Sequence, residues 1–103
     1  MSGFVTVGSA EQVDEGEIGS FDVASREIAV ARIDGALFAF SDVCTHRRCN
    51  LSLEGELDGT AITCGCHGSS FDLTSGSVLA PPAEDPLPIF GVREVDGRIE
   101  VEL

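Results

Sequence analysis

Two short segments carry every soft ligand in this chain. Residues 44–49 read Cys-Thr-His-Arg-Arg-Cys and residues 64–67 read Cys-Gly-Cys-His, which together hold all 4 cysteines and both histidines. Within them lie two pairs of one thiol and one imidazole, Cys44-x-His46 and Cys64-x-x-His67, separated by residues 47–63. Two close-spaced pairs on separate loops suit a metal centre, because each loop delivers two ligands at a fixed reach. Tetrahedral zinc accepts a Cys₂His₂ set and is the plainest candidate by donor type. Yet C-x-H is an unusual zinc spacing, and four cysteines with two histidines exceed the needs of one zinc. Spacing alone leaves zinc and other thiolate–imidazole chemistry open.

Loops that present ligands need strands to hold them, and strand signals dominate this sequence. The run 26–33 (REIAVARI) alternates roughly, breaks at Asp34-Gly35 and resumes as 36–40 (ALFAF). Asp58-Gly59 and Asp96-Gly97 stand between apolar runs in the same way. Asp-Gly readily supplies the two positive-φ positions of a type I′ turn, so three such pairs predict antiparallel hairpins. No stretch shows clear helical periodicity, and residues 8–16 allow one short turn. Both ligand segments fall at strand exits, the first after a strand ending near Phe40 and the second after 60–63 (TAIT). A turn is predicted at 74–77 (TSGS), and the 4 prolines in 80–88 (APPAEDPLP) forbid both helix and central strand there. The region from about 41 to 85 reads as a loop-rich unit set between outer strands of one domain.

At this point the sequence resembles the Rieske [2Fe–2S] proteins. The family pattern is C-x-H, a spacer of fifteen or more residues, then C-x-x-H followed by Gly and a Phe-Asp or Tyr-Asp pair; here it reads CTH and CGCHGSSFD, with a trailing Gly76. The likeness extends to 35–46 (GALFAFSDVCTH) and to 76–103, so it covers nearly the whole chain in the arrangement of small Rieske-type ferredoxins. It implies an all-β fold, an antiparallel β-sandwich with a loop-rich cluster-binding subdomain at about 41–85, in a single domain over 1–103. It also implies one [2Fe–2S] cluster, with Cys44 and Cys64 on one iron and His46 and His67 on the other. Replacing two thiolates by neutral imidazoles makes the oxidised cluster formally neutral, which eases reduction. Such clusters span roughly −150 to +300 mV. The second ring nitrogen of each histidine titrates, so the potential is expected to fall at high pH.

The remaining cysteines, Cys49 and Cys66, depart from an ordinary small Rieske ferredoxin. They match the positions at which high-potential members carry a loop-to-loop disulfide, so the resemblance implies a Cys49–Cys66 bridge; two free thiols in a reducing cytosol are the alternative. By the same resemblance Ser69 stands where a serine hydroxyl bonds a cluster sulfur, and Phe71 where a tyrosine does so. One donor kept and one lost implies an intermediate potential, although Ser69 also suits a turn and Phe71 suits simple packing. Pro81 and Pro82 resemble the proline loop that covers the cluster. Arg47 and Arg48 flank His46, where they raise the potential, contact a partner or do neither.

Composition narrows the function classes. A net charge of −12, with six arginines and no lysine, argues against nucleic acid as a partner. It suits a self-repelling soluble surface or docking onto a basic face. The start of the chain shows no basic segment or apolar run of signal length, and nothing reaches a membrane span, so a cytoplasmic location is expected. Both histidines are committed to the cluster, so no 2-His-1-carboxylate oxygenase site remains, and no Gly-rich dinucleotide fingerprint appears. The expectation is a one-electron carrier, not an enzyme, passing electrons from a flavoprotein reductase to a terminal oxygenase. A Rieske subunit of a larger redox enzyme and a zinc or disulfide interaction module are the alternatives.

Overall fold

The strand β3 (Arg26–Ile33) explains the architecture, because it is buried on both faces. Ile28 and Val30 enter one hydrophobic core, while Ala29 and Ala31 enter another. Successive strand residues point to opposite sides, so the rough alternation of this run is one of large against small, not apolar against polar. The small alanine face lets the cysteine-bearing part of the chain pack closely against the sheet. In β4 (Ala36–Ser41), Ala39 and Phe40 divide between the same two cores.

The computed structural model describes residues 3–45, 49–66 and 68–103. Besides β3 and β4 the strands are β1 (Phe4–Ser9), β2 (Ile18–Val23), β5 (Gly55–Asp58), β6 (Ala61–Cys64), β7 (Ser70–Asp72), β8 (Val78–Ala80), β9 (Ile89–Val95) and β10 (Arg98–Glu102). They form a six-stranded sheet in the order β1-β10-β9-β4-β3-β2 and a four-stranded sheet β5-β6-β7-β8, with every strand pair antiparallel. The all-β antiparallel class expected above is therefore observed. The two ends of the larger sheet approach each other: Gly8 of β1 lies directly against the Phe21 ring of β2, leaving no room for a side chain. Within the loop-rich region of about 41–85, the hairpin expected around Asp58-Gly59 is extended by two further short strands, β7 and β8, into the smaller sheet.

Four two-residue turns close hairpins, and their residues differ instructively. At Asp34-Gly35 and Asp96-Gly97 both residues have positive φ, at 51° and 80° and at 50° and 76°. At Asp58 the expectation fails by one residue: Asp58 pairs with Ala61, so Gly59 and Thr60 form the turn and Gly59 has the positive φ of 60°. This suits a turn that needs glycine only at its first central position. The β2–β3 turn, absent from the sequence reading, uses Ala24 (φ 50°) and Ser25 (φ 67°). Those residues carry no turn signature.

Helix is scarce. A single 3₁₀ turn, Ala10–Gln12, falls within 8–16; Ser9 accepts from the Glu11 N–H and the Gln12 side chain accepts from the Ser9 N–H. One four-residue helix, α1 (Leu51–Glu54), follows the first cysteine loop. Its length is too short for periodicity to be read. Among the described residues no helix is long and apolar enough to cross a membrane.

Candidate metal centre

The first loop leaves β4 and returns into α1 through a stem held by backbone. Val43 bridges Asn50, Cys44 N–H donates to the Cys49 carbonyl at 3.0 Å, and Leu51 N–H donates to the Asp42 carbonyl at 2.7 Å. The second loop follows β6, whose last residue is Cys64 itself. It is closed by Cys64 N–H on the Ser69 carbonyl (2.7 Å) and Gly68 N–H on the Cys64 carbonyl (2.8 Å). Gly65 N–H reaches the Glu54 carbonyl of α1 at 2.7 Å, joining the second loop to the foot of the first.

A disulfide between Cys49 and Cys66 links the two loops, with Cα atoms 6.7 Å apart. Cys44 and Cys64 stay outside it, and both are buried. Their sulfurs belong to the same core as Leu51, Ile62, Phe71 and Leu73. The Cys64 sulfur lies within 4.8 Å of both disulfide sulfurs. Three sulfurs so close invite a metal reading, but a disulfide has no thiolate to offer. That trio is no zinc site.

The segment 81–88 covers both loops. Thr45 Oγ1 donates to the Asp85 carbonyl at 2.8 Å, tying the cover to the first loop. Ala83 N–H donates to Ser69 Oγ at 3.0 Å, tying it to the second. At its far end Leu87 N–H bonds the Gly76 carbonyl (2.8 Å) and the Pro88 carbonyl accepts from Ser41 N–H (2.9 Å). Gly76 has φ 83°, and its backbone abuts the Leu87 carbonyl, so only glycine fits there. Pro81 and Pro82 are exposed, joined by a cis peptide, at the start of this cover.

Of the residues singled out by sequence, Cys44, Cys49, Cys64, Cys66, Ser69 and Phe71 converge at this end of the molecule. His46, His67, Arg47 and Arg48 lie outside the described residues. Phe71 is fully buried among apolar side chains, in keeping with packing. Sequence reading missed Thr45, Asp42, Asn50 and Ser52, ordinary turn-type residues whose convergence is visible only in three dimensions. Exposed Glu84 and Asp85 make the cover acidic. The described ion pairs, Arg32–Glu94 (3.3 Å) and Arg93–Glu100 (2.7 Å), sit on the larger sheet instead.

The family model described as Rieske [2Fe-2S] domain matches residues 3–91. This chain belongs to the Rieske [2Fe–2S] domain family. Among Rieske relatives, the biphenyl dioxygenase ferredoxin subunit of Pseudomonas sp. (strain KKS102) is 34% identical over 95 residues, covering 92% of this chain and 86% of the relative. The anthranilate 1,2-dioxygenase ferredoxin subunit of Burkholderia cepacia is 31% identical over 97 residues, covering 94% and 89%. Of solved structures, the Sphingomonas yanoikuyae B1 ferredoxin superposes with a TM-score of 0.89 at 29% identity, covering 98% of this chain and 99% of that one. A chain in the complex of reduced oxygenase and oxidized ferredoxin in carbazole 1,9a-dioxygenase gives 0.84 at 34% identity, covering 94% and 99%.

The cofactor of this Rieske protein is accordingly one [2Fe–2S] cluster, and its role is one-electron transfer rather than catalysis of its own. The donor set fits. An iron held through two sulfurs needs two cysteines outside any disulfide; Cys44 and Cys64 lie outside it, buried in one core, and would suit that role.

Proposed function

We propose that this Rieske ferredoxin accepts electrons singly from a flavoprotein reductase and delivers them to a terminal oxygenase, in the cytoplasm. Cys44 and Cys64 hold one iron, and His46 and His67 hold the other through ring nitrogens. The loops of residues 41–85 act as the cluster-binding subdomain. The cluster supplies a centre that takes up and gives back one electron. The chain's own residues keep it dry and placed: Leu51, Ile62, Phe71 and Leu73 exclude water from one side, and residues 81–88 cover both loops.

Ser69 acts as a donor to a cluster sulfur. Its oxygen already accepts the Ala83 N–H while its hydroxyl hydrogen has no described acceptor, and the side chain is fully buried. An acidic surface, with a net charge of −12, favours encounter with basic faces on both partners through small transient contacts. Leu53, which is 80% exposed on α1, adds an apolar point beside the second loop.

The observation that carries this reading is the pair of buried cysteines left outside a disulfide that ties their loops together. EPR of the dithionite-reduced protein with a redox titration tests it. A rhombic Rieske-type signal and a potential within the family range are expected; colourless protein containing zinc would end the reading. Electron transfer to reductase and oxygenase should slow as salt rises, and rates indifferent to ionic strength would remove the steering claim.

A further inference from the structure

We infer that Asp42 is a positioning residue for the first cluster loop. It clamps the returning arm of that loop to the outgoing one and both to the larger sheet. The inference rests on Cys44 being a cluster ligand.

Asp42 is fully buried, two residues before Cys44. A buried carboxylate is costly unless its oxygens are bonded, and here four donors converge on them. Oδ1 accepts the Ser52 N–H at 2.6 Å; Oδ2 accepts Ser52 Oγ (2.7 Å), Asn50 Nδ2 (3.1 Å) and Ser20 Oγ (3.1 Å). No described arginine bonds it, so the carboxyl is satisfied by neutral donors, which suits a group that only accepts. Its backbone carbonyl adds Leu51 N–H at 2.7 Å. Residues 50, 51 and 52, three in succession on the returning arm, are thus all bonded to Asp42.

The same network reaches outward. Ser20 stands on β2, and Asn50 Nδ2 also donates to Glu27 Oε1 on β3 at 3.0 Å. The stem of the loop is therefore fastened to the six-stranded sheet by side chains, not only by its own ladder. Cys49, which carries the disulfide, is the residue before Asn50. Fixing the stem fixes both the sulfur of Cys44 and the anchor of the second loop. Groups that orient ligands help to tune a metal centre, so displacing the stem that carries Cys44 alters the potential and the spectrum of the centre it holds.

The test uses the cluster-loaded protein and its Asp42→Asn, Ser52→Ala and Ser52→Thr variants. Asp42→Asn turns an acceptor into a donor facing donors. It is expected to speed hydrogen exchange at the Leu51 and Ser52 amides by about tenfold or more, the ratio for loss of one buried hydrogen bond. It should also shift the midpoint potential and the EPR g-values. Ser52→Ala should move the same readouts in part, and Ser52→Thr should restore them. Wild-type exchange, potential and g-values in Asp42→Asn would overturn the inference, as would a lower melting temperature alone. Should Asp42→Asn fail to fold, Ser52→Ala decides by the same criteria. A wild-type protein without a Rieske signal would instead defeat the ligand assignment, and amide exchange would still report on the clamp.

Discussion

Ala83 donates its backbone N–H to the hydroxyl oxygen of Ser69 at 3.0 Å, so the cover over the two loops rests on a side chain that still has a hydrogen to give. One residue thereby joins the second loop to its lid. On the proposed role of Ser69 as a donor to a cluster sulfur, cover and electronics are coupled through it.

Replacing Ser69 by alanine should act on both. The Ala83 N–H loses its acceptor, at a cost of about 1–3 kcal/mol for a buried unsatisfied group. The reduced cluster loses a hydrogen bond, so the midpoint potential should fall. Denaturant titration and potentiometry on the same variant measure the two effects, and an unchanged potential would reduce Ser69 to a structural anchor.

The disulfide closes a loop with a sequence separation of 17. Chain-entropy arguments place the value of such a link at about 3 kcal/mol. The double variant Cys49→Ser/Cys66→Ser should melt at lower temperature and lose iron faster under denaturant. Thiol counting on the native protein offers a direct check, because Cys49 and Cys66 should resist alkylation until a reductant is added.

The β2–β3 turn holds Ala24 and Ser25 at positive φ, where a Cβ is unfavourable. Exchanging them for Asn-Gly, the pair suited to this turn, should stabilise the protein by about 1 kcal/mol or more. The midpoint potential should not move, since the turn is part of the larger sheet and outside the loops. A neutral or destabilising result in thermal melts would contradict the turn assignment.

Asp72 is held below the ordinary carboxylate range, first by the Thr74 hydroxyl and then by the Thr74 N–H, with burial opposing weakly. Both bonds are short, at 2.7 and 2.9 Å. A carboxyl depressed on folding contributes stability that is present above its unfolded value of about 3.9. That stability is lost as pH falls through the lower folded value. Thr74→Ala should therefore cost stability at neutral pH, and the gap to wild type should close in acid. Urea titrations at several pH values would reveal it; a gap independent of pH would assign Thr74 to packing alone.

Much of this molecule was legible before folding. Cys44-x-His46 and Cys64-x-x-His67 pointed to a metal centre because ligand chemistry depends on residue type and local reach. Asp34-Gly35 and Asp96-Gly97 marked turns because backbone sterics are local too. The sequence was silent where several weak preferences had to agree at a distance. Strand β2 and its Ala24-Ser25 turn have no signature, and the sheet imposes the conformation. Asp58-Gly59 signalled a hairpin, but cross-strand pairing of Asp58 with Ala61 set its register.

The chain alone thus determined the kinds of ligand, their spacing and the antiparallel class, all properties of neighbours along the backbone. Tertiary structure decided which cysteines join in a disulfide and which stay outside it, what covers them and what braces them. Cys49 meets Cys66, Ser69 meets Ala83, and Asp42 gathers Ser20, Asn50 and Ser52. Each of those meetings joins residues that no local rule pairs, and burial in a shared core is what brings them within bonding distance.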